Sequence, residues 1–402
     1  MLLVTGADGY LGWPTALALA QAAMPEEVWM VDHHGRRAWV AEVGAASLVP
    51  IADMAARLNA AREVGIPNLH FQAADLRRYD LCAALVREMR PRAVVHLAAQ
   101  PSAPYSHIDA AHAAMTQENN LALGRNLLWA LREAGLERKA AYVTTTTMGI
   151  YGAPTLPVPE GEIMAVAGGL SQRLPFPPLA TSWYHMSKAM DALNLQLAAT
   201  LWRQRAIELR TAIVVGASTP LTRLHPELAT RLDADFCFGV VAHRFAAQAL
   251  AGRPLTIYGK GAQRKPFIAL PDAVSSIVAA VARPLSDDRD LIIYNQATSV
   301  ASVADVARAV AAAAARVGVA CRVEHRPNPR RENEENALEV ERDRFLADLM
   351  PAGGIGVEAA LDAVVADLTP HAERLRAARA SLGMAPGAGA TPAGDTPGEA
   401  GR

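Results

Sequence analysis

A tyrosine and a lysine four residues apart, Tyr184 and Lys188, combine a hydroxyl that can ionise with a cation that can tune it. The stretch around them continues to Leu195 without glycine or proline, which favours a helix. Residues four apart on a helix share one face, so we expect the ammonium to lie near the phenol. A nearby positive charge favours the phenolate and lowers the pKa of the phenol. The pair therefore predicts a group that takes a proton from a substrate hydroxyl and can return it.

A glycine-rich turn near the start of the chain predicts a phosphate-binding site. Gly6, Gly9 and Gly12 lie between a short apolar strand and a helix predicted over residues 13–24. Glycines let the backbone approach a pyrophosphate, and the N-terminus of the helix attracts its charge. Asp32 ends the next predicted strand, 20 residues beyond Gly12, where a carboxylate suits the hydroxyls of an adenosine ribose. This context predicts a bound dinucleotide.

The charges around Asp32 bear on which dinucleotide is bound. The carboxylate of Asp32 would repel a 2′-phosphate, and this favours NAD. Arg36 and Arg37 follow closely and could accept the same phosphate, so NADP stays open as the alternative. We expect NAD, and we count both arginines among the residues that contact the cofactor.

The glycine spacing and the later Tyr-x-x-x-Lys motif together resemble the extended short-chain dehydrogenase/reductases, which include the NAD-dependent epimerases and dehydratases. This resemblance implies an α/β fold: a Rossmann doubly wound parallel sheet with a smaller, discontinuous C-terminal lobe that binds substrate. It also implies that Tyr184 is the general base, that Lys188 lowers its pKa, and that NAD is bound tightly and recycled. The further cofactor contacts that it implies are Tyr10, Leu11, Asp75, Leu76, Ala98, Ala99, Gln100 and Asn119.

Longer strings of residues resemble one branch of these enzymes, the UDP-sulfoquinovose synthases. The matching strings are residues 9–13, 100–109, 147–152, 183–188, 231–233, 258–261 and 327–330, with Glu332. In that branch, bound NAD oxidises C4 of UDP-glucose, which makes the C5 proton acidic. Water then leaves from C6, sulfite adds at C6, and the hydride returns. The likeness extends over roughly residues 1–350.

The resemblance to this branch assigns roles to further residues. It implies that Thr147 contacts the C4 oxygen and that His185 lies near the reacting end of the sugar. It also implies that Arg330 clamps the diphosphate, since a guanidinium suits phosphate oxygens. The remaining substrate contacts that we predict are Gln100, Ser102, Arg231, Lys265 and Glu332. The substrate is expected to be a sugar linked to UDP or GDP.

The sequence departs from the branch around the position where sulfite would act. Ile150 stands where the branch has a glutamate, and Pro101 stands where it has an arginine. Residues 263–267 and 161–178 also differ, and the second segment is expected near C6 of the sugar. A site for an anion should lose affinity when a nearby cation is removed. The changes therefore leave the oxidation residues intact but argue against the sulfite step.

We therefore predict an NAD-dependent nucleotide-sugar epimerase that oxidises C4 transiently and returns the hydride to the other face of the ketone. UDP-sulfoquinovose synthesis is the alternative, and elimination by a dehydratase would begin from the same ketone. A protein of another class, a non-catalytic NAD-binding sensor, is disfavoured because Tyr184 and Lys188 are both present.

Composition excludes several other classes. The 39 basic and 40 acidic residues nearly cancel, so no global positive field indicates binding to nucleic acid or to a membrane. Cys82, Cys237 and Cys321 show no paired spacing, which argues against a metal site or a disulfide framework and fits a cytoplasmic protein. An apolar run of about 18 residues is also missing, so we expect no membrane span.

The order of the predicted elements divides the chain into three parts. Residues 1–216 form the NAD-binding part, whose sheet later segments complete, and residues 217–383 form most of the substrate-binding lobe. Residues 384–402, rich in glycine, proline and alanine, form a disordered tail. We expect a homodimer through the helices predicted over residues 117–134 and 184–203, because proteins with these motifs pair in this way.

Two further elements are expected from the apolar pattern, one just before the lobe and one within it. A strand is predicted over residues 207–215, and a helix is predicted over residues 236–251.

Overall fold

The computed structural model describes residues 1–152, 154, 156–283, 290–327 and 338–377. Its strands are β1 (Leu2–Thr5), β2 (Val28–Asp32), β3 (Leu69–Ala73), β4 (Ala93–His96), β5 (Ala141–Thr147), β6 (Glu162–Ala167), β7 (Leu170–Pro175), β8 (Ala206–Thr211), β9 (Ile213–Val215), β10 (Leu255–Tyr258), β11 (Arg264–Ala269), β12 (Leu291–Gln296), β13 (Ser299–Ser302) and β14 (Val323–Arg326). Its helices are α1 (Gly12–Ala23), α2 (Gly35–Glu42), α3 (Met54–Glu63), α4 (Tyr79–Met89), α5 (Ala110–Glu133), α6 (Trp183–Trp202), α7 (Val241–Leu250), α8 (Leu270–Ala282), α9 (Val303–Arg316), α10 (Asp343–Leu349), α11 (Val357–Leu368) and α12 (Ala372–Ala377).

The largest sheet among the described residues, the main sheet, has seven parallel strands in the order β12-β8-β5-β4-β1-β2-β3. The chain moves outward from β1 through β2 and β3, then returns to β4 and continues in the other direction. This reversal opens a crevice at the carboxyl ends of β1 and β4, where doubly wound sheets bind ligands. The predicted Rossmann fold is confirmed.

The central strands β1 and β4 are mainly apolar because helices cover both faces of the main sheet. All four residues of β1 are buried, as are all four of β4. On one face, Trp13 of α1 packs with Ile277 of α8. On the other face, α4, α5 and α6 contribute Val86, Leu127 and Leu195. Parallel strands that are buried on both faces are mainly apolar, and these apolar runs allow such strands to be recognised in the sequence.

A second apolar core lies beside the main sheet. It is formed by α7, α9 and α11 against the small sheet, in which β11 pairs in parallel with β9 and antiparallel with β13. Phe245 of α7, Val310 of α9 and Leu361 of α11 are fully buried there. The strands β10 and β14 form a separate parallel pair, and Leu255 and Ile257 of β10 enter the same core.

The strand predicted over residues 207–215 is divided in the structure. β8 pairs with β5 and β12 of the main sheet, whereas β9 pairs with β11 of the small sheet. Ala212 lies between them, and its N–H donates to the carbonyl of Gln296 beside the main sheet. Both strands contain β-branched residues, so the sequence favours a strand on either side of Ala212 and gives no signal for the break.

The helix predicted over residues 236–251 begins later, at Val241. The Asp235 carboxylate accepts hydrogen bonds from the N–H groups of Cys237 and Phe238 and holds this segment in a turn. Short polar side chains often compete in this way with the first turn of a helix.

The predicted disordered tail, residues 384–402, lies outside the described residues. Within the described ranges, no helix combines the length and the apolar character that crossing a bilayer requires.

Candidate active site at the carboxyl edge of the main sheet

The glycine turn packs tightly against the segment that follows β4. Gly6 has a φ of 75°, and a Cβ atom there would lie 2.5 Å from the backbone nitrogen of Ala98. A Cβ atom on Gly12 would lie 2.0 Å from the carbonyl oxygen of Gly6. The structure thus brings two of the predicted cofactor-contact segments together, and only glycine fits these two positions.

The N-terminus of α1 has no side-chain cap, since Leu11 at the capping position makes no such hydrogen bond. The first N–H groups of a helix need partners, and an anion at this end is stabilised by the helix dipole. Gly9, in the turn that precedes α1, presents only backbone atoms. This arrangement fits the pyrophosphate of a dinucleotide.

Asp32 connects the glycine turn to the end of β2. Its Oδ2 atom accepts a hydrogen bond from the N–H of Asp8 at 3.0 Å, and its Oδ1 atom accepts from the N–H of His34 at 2.6 Å. The carboxylate is half-buried and oriented by backbone groups, so its position is fixed beside the turn. The role of Asp32 toward an adenosine ribose stays a prediction, with which this position is compatible.

Arg37 forms a two-pronged ion pair with Asp8, with both N–O distances at 2.6 Å. Arg57, which is fully buried, also reaches the Asp8 carboxylate, at 3.1 Å. Burial alone would raise the pKa of Asp8, but Arg37 and Arg57 hold it below its ordinary value. Sequence reasoning missed Asp8 and Arg57, because nothing in their spacing indicates a partner.

Arg36 is paired with a carboxylate of the lobe. Its Nη2 atom lies 2.6 Å from Asp233 Oδ2, and its guanidinium lies 4.4 Å from the ring centre of Phe238. Both arginines that could accept a 2′-phosphate are therefore neutralised by carboxylates. This pairing disfavours the NADP alternative.

Asp75 and Leu76, predicted to contact adenine, are placed differently from one another. Asp75 is an acceptor for Arg77, with Nη2 2.7 Å from Oδ2, and this hydrogen bond lowers the pKa of Asp75. The Leu76 side chain is buried in the core between the main sheet and α4 and α5. The side chain of Leu76 packs inward because the segment after β3 turns its apolar residue into the core, and the predicted cofactor contact of this residue stays a prediction.

Asn119 lies on the wall of a surface cleft of about 590 Å³ that also includes Arg77 and the residues of α5 from Ala111 to Ala122. Its Nδ2 atom donates to Asn120 Oδ1 at 3.0 Å. Its Oδ1 atom is buried and has no hydrogen-bond partner within the described residues. An unsatisfied buried acceptor is costly without a ligand or water, so Asn119 fits a cofactor contact.

Gln100 and Ser102 form hydrogen bonds with each other and with nearby backbone groups. Gln100 Nε2 donates to the Ser102 carbonyl at 3.2 Å, and Gln100 Oε1 accepts from the Ser102 N–H. The Ser102 hydroxyl donates to the carbonyl of Cys237 and accepts from the N–H of Tyr105 at 3.0 Å. These hydrogen bonds close the loop, and the predicted substrate contact of Gln100 and Ser102 stays a prediction.

Asn120 joins the residues after β4 to the catalytic helix. Its Oδ1 atom accepts from the Gln100 N–H at 2.7 Å, and its Nδ2 atom donates to Ser187 Oγ at 2.9 Å. Ser187 Oγ in turn donates to the carbonyl of Tyr184. A buried asparagine on α5 therefore sets the distance between α6 and the edge of the sheet.

The predicted catalytic residues meet where β5 ends and α6 begins. Thr147 ends β5, and its hydroxyl accepts from the N–H of Gly149 at 3.1 Å. The His185 ring packs over Gly149, since a Cβ atom there would lie 2.3 Å from Nε2. Tyr184 stands beside it in the first turn of α6, with ring centres 5.2 Å apart. The helix begins at this point because Ser182 accepts from the His185 N–H at 3.0 Å.

The charged neighbours of Tyr184 and Lys188 are Arg36 and Asp191, respectively. Burial raises the pKa of Tyr184 to about 12, and the charge that acts against this rise is Arg36. Lys188 is buried on the same helix, and its Nζ atom lies 3.9 Å from Asp191 Oδ2. The predicted tuning of the phenol by Lys188 stays a prediction, and in the structure the ammonium is paired with the aspartate one turn further on.

Tyr10 and Leu11 have structural contacts in the glycine turn. The Tyr10 hydroxyl donates to the carbonyl of Gly216 at 2.7 Å, and burial raises the pKa of this phenol. Leu11 packs against the main core. For these two residues the side chains fix the turn, which leaves their backbone to contact a cofactor.

The predicted substrate residues of the lobe are only partly described. Arg231 is buried and donates from Nε to Asp233 Oδ2 at 3.1 Å, while its Nη1 atom has no hydrogen-bond partner within the described ranges. Lys265 lies on β11 opposite Ala301. Arg330 and Glu332 lie outside the described residues.

The residues that depart from the sulfoquinovose branch occupy two kinds of environment. Ile150 is 3% exposed and belongs to the main apolar core. Pro101 is exposed, next to the loop that Gln100 closes. The divergent segment 161–178 forms the antiparallel hairpin of β6 and β7, whose Met164, Val166 and Leu170 are exposed.

Comparisons with known proteins establish the family of this chain. Residues 2–297 match the NAD dependent epimerase/dehydratase family. The chain is 34% identical over 376 residues to the chloroplastic UDP-sulfoquinovose synthase of Spinacia oleracea, which covers 93% of this chain and 76% of the relative. It is 31% identical over 379 residues to the UDP-sulfoquinovose synthase of Sulfolobus acidocaldarius, which covers 93% of this chain and 94% of the relative.

A solved structure with the same fold is the UDP-glucose 4-epimerase of Stenotrophomonas maltophila with bound NAD and formylated UDP-arabinopyranose. It matches with a TM-score of 0.70 and 21% identity, over 94% of this chain and 99% of that chain. At this identity the likeness establishes the fold alone.

The protein belongs to the NAD-dependent epimerase/dehydratase family. The predicted family, the prediction that the protein is an enzyme and the prediction of NAD as cofactor are confirmed by this membership. The glycine turn, the uncapped α1, Asp32 and the unsatisfied Asn119 fit that cofactor.

Proposed function

We propose that the protein is a nucleotide-sugar 4-epimerase that oxidises C4 transiently and reduces the ketone again from its other face. The meeting of Tyr184, Thr147 and His185 at the carboxyl edge of the main sheet carries this proposal. NAD, when bound, supplies a hydride acceptor and donor. The remaining chemistry is proton transfer and orientation by the chain itself.

In this proposal, Tyr184 takes the proton of the C4 hydroxyl and later returns it. A phenol whose pKa is about 12 is a weak acid at neutral pH, so cationic neighbours are needed to stabilise its anion. Arg36 acts in this direction already, and Lys188 is the second candidate. Thr147 orients the C4 oxygen by its hydroxyl, and His185 lies beside the phenol as a further donor to the sugar.

The surroundings of Ile150 favour epimerisation over sulfite addition. A sulfonating site needs a polar group for proton transfer at C6 and a cation for sulfite. Ile150 offers an apolar side chain that is already packed in the core. Pro101 offers neither a charge nor a hydrogen-bond donor. Epimerisation requires neither group, because the ketone needs only to turn over and take the hydride back.

UDP-sulfoquinovose synthesis is the second candidate function. The identity of 34% to the spinach synthase over 93% of the chain favours it. A dehydratase reaction would share the same first step, and it would appear in the same experiment as loss of water from the sugar.

The proposed substrate is a sugar linked to UDP or GDP, bound between the main sheet and the lobe of residues 217–383. The buried Nη1 atom of Arg231 supports this, since it is a donor without a partner among the described residues. Arg330 is the proposed clamp on the diphosphate.

The experiment incubates the purified protein with UDP-glucose, UDP-galactose, UDP-glucuronic acid and GDP-mannose, each with and without sulfite. Products are identified by mass spectrometry and by NMR of the sugar ring. The proposal expects an isomer of unchanged mass that forms equally well without sulfite. A sulfonated product that requires sulfite would establish the second candidate instead.

We further propose a homodimer through α5 and α6. A stripe of apolar side chains on α6 is 40–62% exposed, at Trp183, Met186, Met190, Leu193, Leu197 and Leu201. Trp129 of α5 is 45% exposed beside it and contacts Trp202. A stripe of this length at helical spacing is typical of an interface, and a second copy of the same two helices would cover it.

A further inference from the structure

Lys188 and Asp191 form a buried ion pair on α6. The Nζ atom of Lys188 lies 3.9 Å from Asp191 Oδ2, and the two side chains are 5% and 6% exposed. Residues three apart on a helix share a face, so the pair is set by the helix itself. A charged group at this depth requires a counter-charge, and each of the two supplies it for the other.

Gly124 of α5 makes room for the Asp191 carboxylate. A Cβ atom at position 124 would lie 2.0 Å from Asp191 Oδ1. Glycine is among the weakest helix formers, and Gly124 lies well inside a helix of 24 residues. Its presence there is explained by the carboxylate, which packs directly against the backbone of α5.

Other titratable groups face the pair from the strands below. Glu208 of β8 acts electrostatically on both residues, and it is itself paired with Arg210, with Nε 3.0 Å from Oε1. His96 of β4 binds Thr5 of β1 at 2.8 Å and, because of burial and the charge of Lys188, has a pKa lowered to about 3. His96 is therefore neutral at physiological pH. From β5, the buried phenol of Tyr142 also faces Asp191.

We propose that Asp191 is the positioning residue of Lys188: it anchors the ammonium beneath the catalytic edge and keeps it protonated. This proposal rests on the role proposed above for Lys188. The phenol of Tyr184 and the carboxylate of Asp191 lie on either side of Lys188 along α6. The lysine therefore has a carboxylate partner three residues further along α6, and the hydroxyl of Tyr184 stays outside this ion pair.

The charge of Lys188 depends on Asp191 because burial works against it. Burial lowers the pKa of Lys188, whereas Asp191 and then Glu208 raise it. Glu208 is already paired with Arg210, whereas the ion-pair partner of Asp191 is Lys188. Without Asp191, the ammonium would lose its proton at a lower pH, and the enzyme would lose a cation at its active site.

The test measures the pKa of Lys188 directly by NMR. The chain contains four lysines, Lys139, Lys188, Lys260 and Lys265, so protein labelled with 13C at the lysine Cε atom gives few signals to resolve. The Lys188 signal is assigned by its loss in Lys188→Met. Each protein is then titrated with pH in its NAD-bound form, as the wild type and as Asp191→Asn and Asp191→Glu. The other three lysines are internal controls.

The proposal expects the pKa of Lys188 to fall by about one unit or more in Asp191→Asn, and to return toward the wild-type value in Asp191→Glu. The other lysines should keep their values. An unchanged pKa of Lys188 in folded Asp191→Asn would overturn the proposal. Should that variant fail to fold, Gly124→Ala displaces the carboxylate with the charge retained, and an unmoved Lys188 signal there would overturn it equally. No step of this test requires turnover, so it stands apart from the test of the proposed reaction.

Discussion

Arg36, in the first turn of α2, and Asp233, in the loop between β9 and α7, form a hydrogen-bonded ion pair with Nη2 2.6 Å from Oδ2. Asp233 also accepts from Arg231, so one buried carboxylate serves two arginines. The pair ties the residues that follow Asp32 to the lobe. Since Arg36 also lowers the pKa of Tyr184 against the effect of burial, the same guanidinium acts on both Asp233 and the phenol proposed as the base.

The first prediction concerns this carboxylate. Asp233→Asn leaves Arg36 and Arg231 buried without their counter-charge, and breaking a buried pair costs about 3–5 kcal/mol. We expect the free energy of unfolding in urea to fall by an amount of that order. Asp80→Asn is the matched control, because Asp80 and Arg78 form an exposed pair that contributes little. Equal stability of Asp233→Asn and wild type would contradict this account of the junction.

The second prediction concerns the glycine turn. A Cβ atom at Gly12 would lie 2.0 Å from the Gly6 carbonyl, so Gly12→Ala must displace the turn. We expect the affinity for NAD to fall at least about tenfold, which corresponds to about 1.4 kcal/mol. Gly356→Ala is the control, since a Cβ atom there meets nothing within 4 Å. Isothermal titration with NAD measures both variants, and unchanged binding in Gly12→Ala would show that the cofactor lies elsewhere.

Much of this site could be predicted from the sequence, for a physical reason. The strands β1 and β4 are fully buried and mainly apolar, and β5 is rich in β-branched residues that favour a strand. The glycine turn could be recognised because only glycine fits positions 6 and 12. Thr147 and Tyr184 were placed correctly at the ends of the elements that carry them, because those ends coincide with clear changes in pattern.

What could not be predicted was the choice of partner by polar side chains. Gln100 and Ser102 stand in a string that resembles a substrate site, yet the geometry of the loop lets them bond to each other first. Lys188 has Tyr184 four residues before it and Asp191 three residues after it. The sequence pattern does not show which of the two is the partner of the ammonium. Because Lys188 is buried, pairing with the carboxylate is favoured.

The third prediction follows from Asp8, whose pKa in the folded protein is below its ordinary value of 3.8. A carboxyl of this kind binds its proton more weakly when folded, so its contribution to stability is complete above about pH 4. It is lost as the pH falls through the folded pKa. We expect Asp8→Asn to be markedly less stable than wild type at pH 7, because Arg37 and Arg57 lose their partner.

The measurement for Asp8 is the melting temperature of both proteins between pH 3 and pH 7. The difference between wild type and Asp8→Asn should shrink steadily at the acid end, where the wild-type carboxyl becomes protonated. A difference that is constant over the whole range would mean that the charge of Asp8 is not what stabilises the turn.

The fourth prediction concerns the apolar stripe on α6. Leu193→Glu with Leu197→Glu places two charges in the middle of the proposed interface, and both residues are about half exposed in the single chain. We expect the variant to be a monomer by light scattering after size-exclusion chromatography. Leu170→Glu, at an exposed residue of the β6–β7 hairpin, should leave the dimer intact. A dimer that survives both changes on α6 would place the contact elsewhere.

The central claim is that a hydrogen leaves C4 of the sugar and comes back to it within one bound complex. The measurement uses the nucleotide sugar identified in the substrate panel, labelled with deuterium at C4, and follows the label by NMR. We predict that deuterium stays at C4 of the epimerised product with no net formation of NADH, and that Tyr184→Phe keeps its NAD while its turnover falls by about 10²–10⁴-fold. Deuterium that is lost to solvent, or that accumulates in released NADH as product forms, would contradict the account.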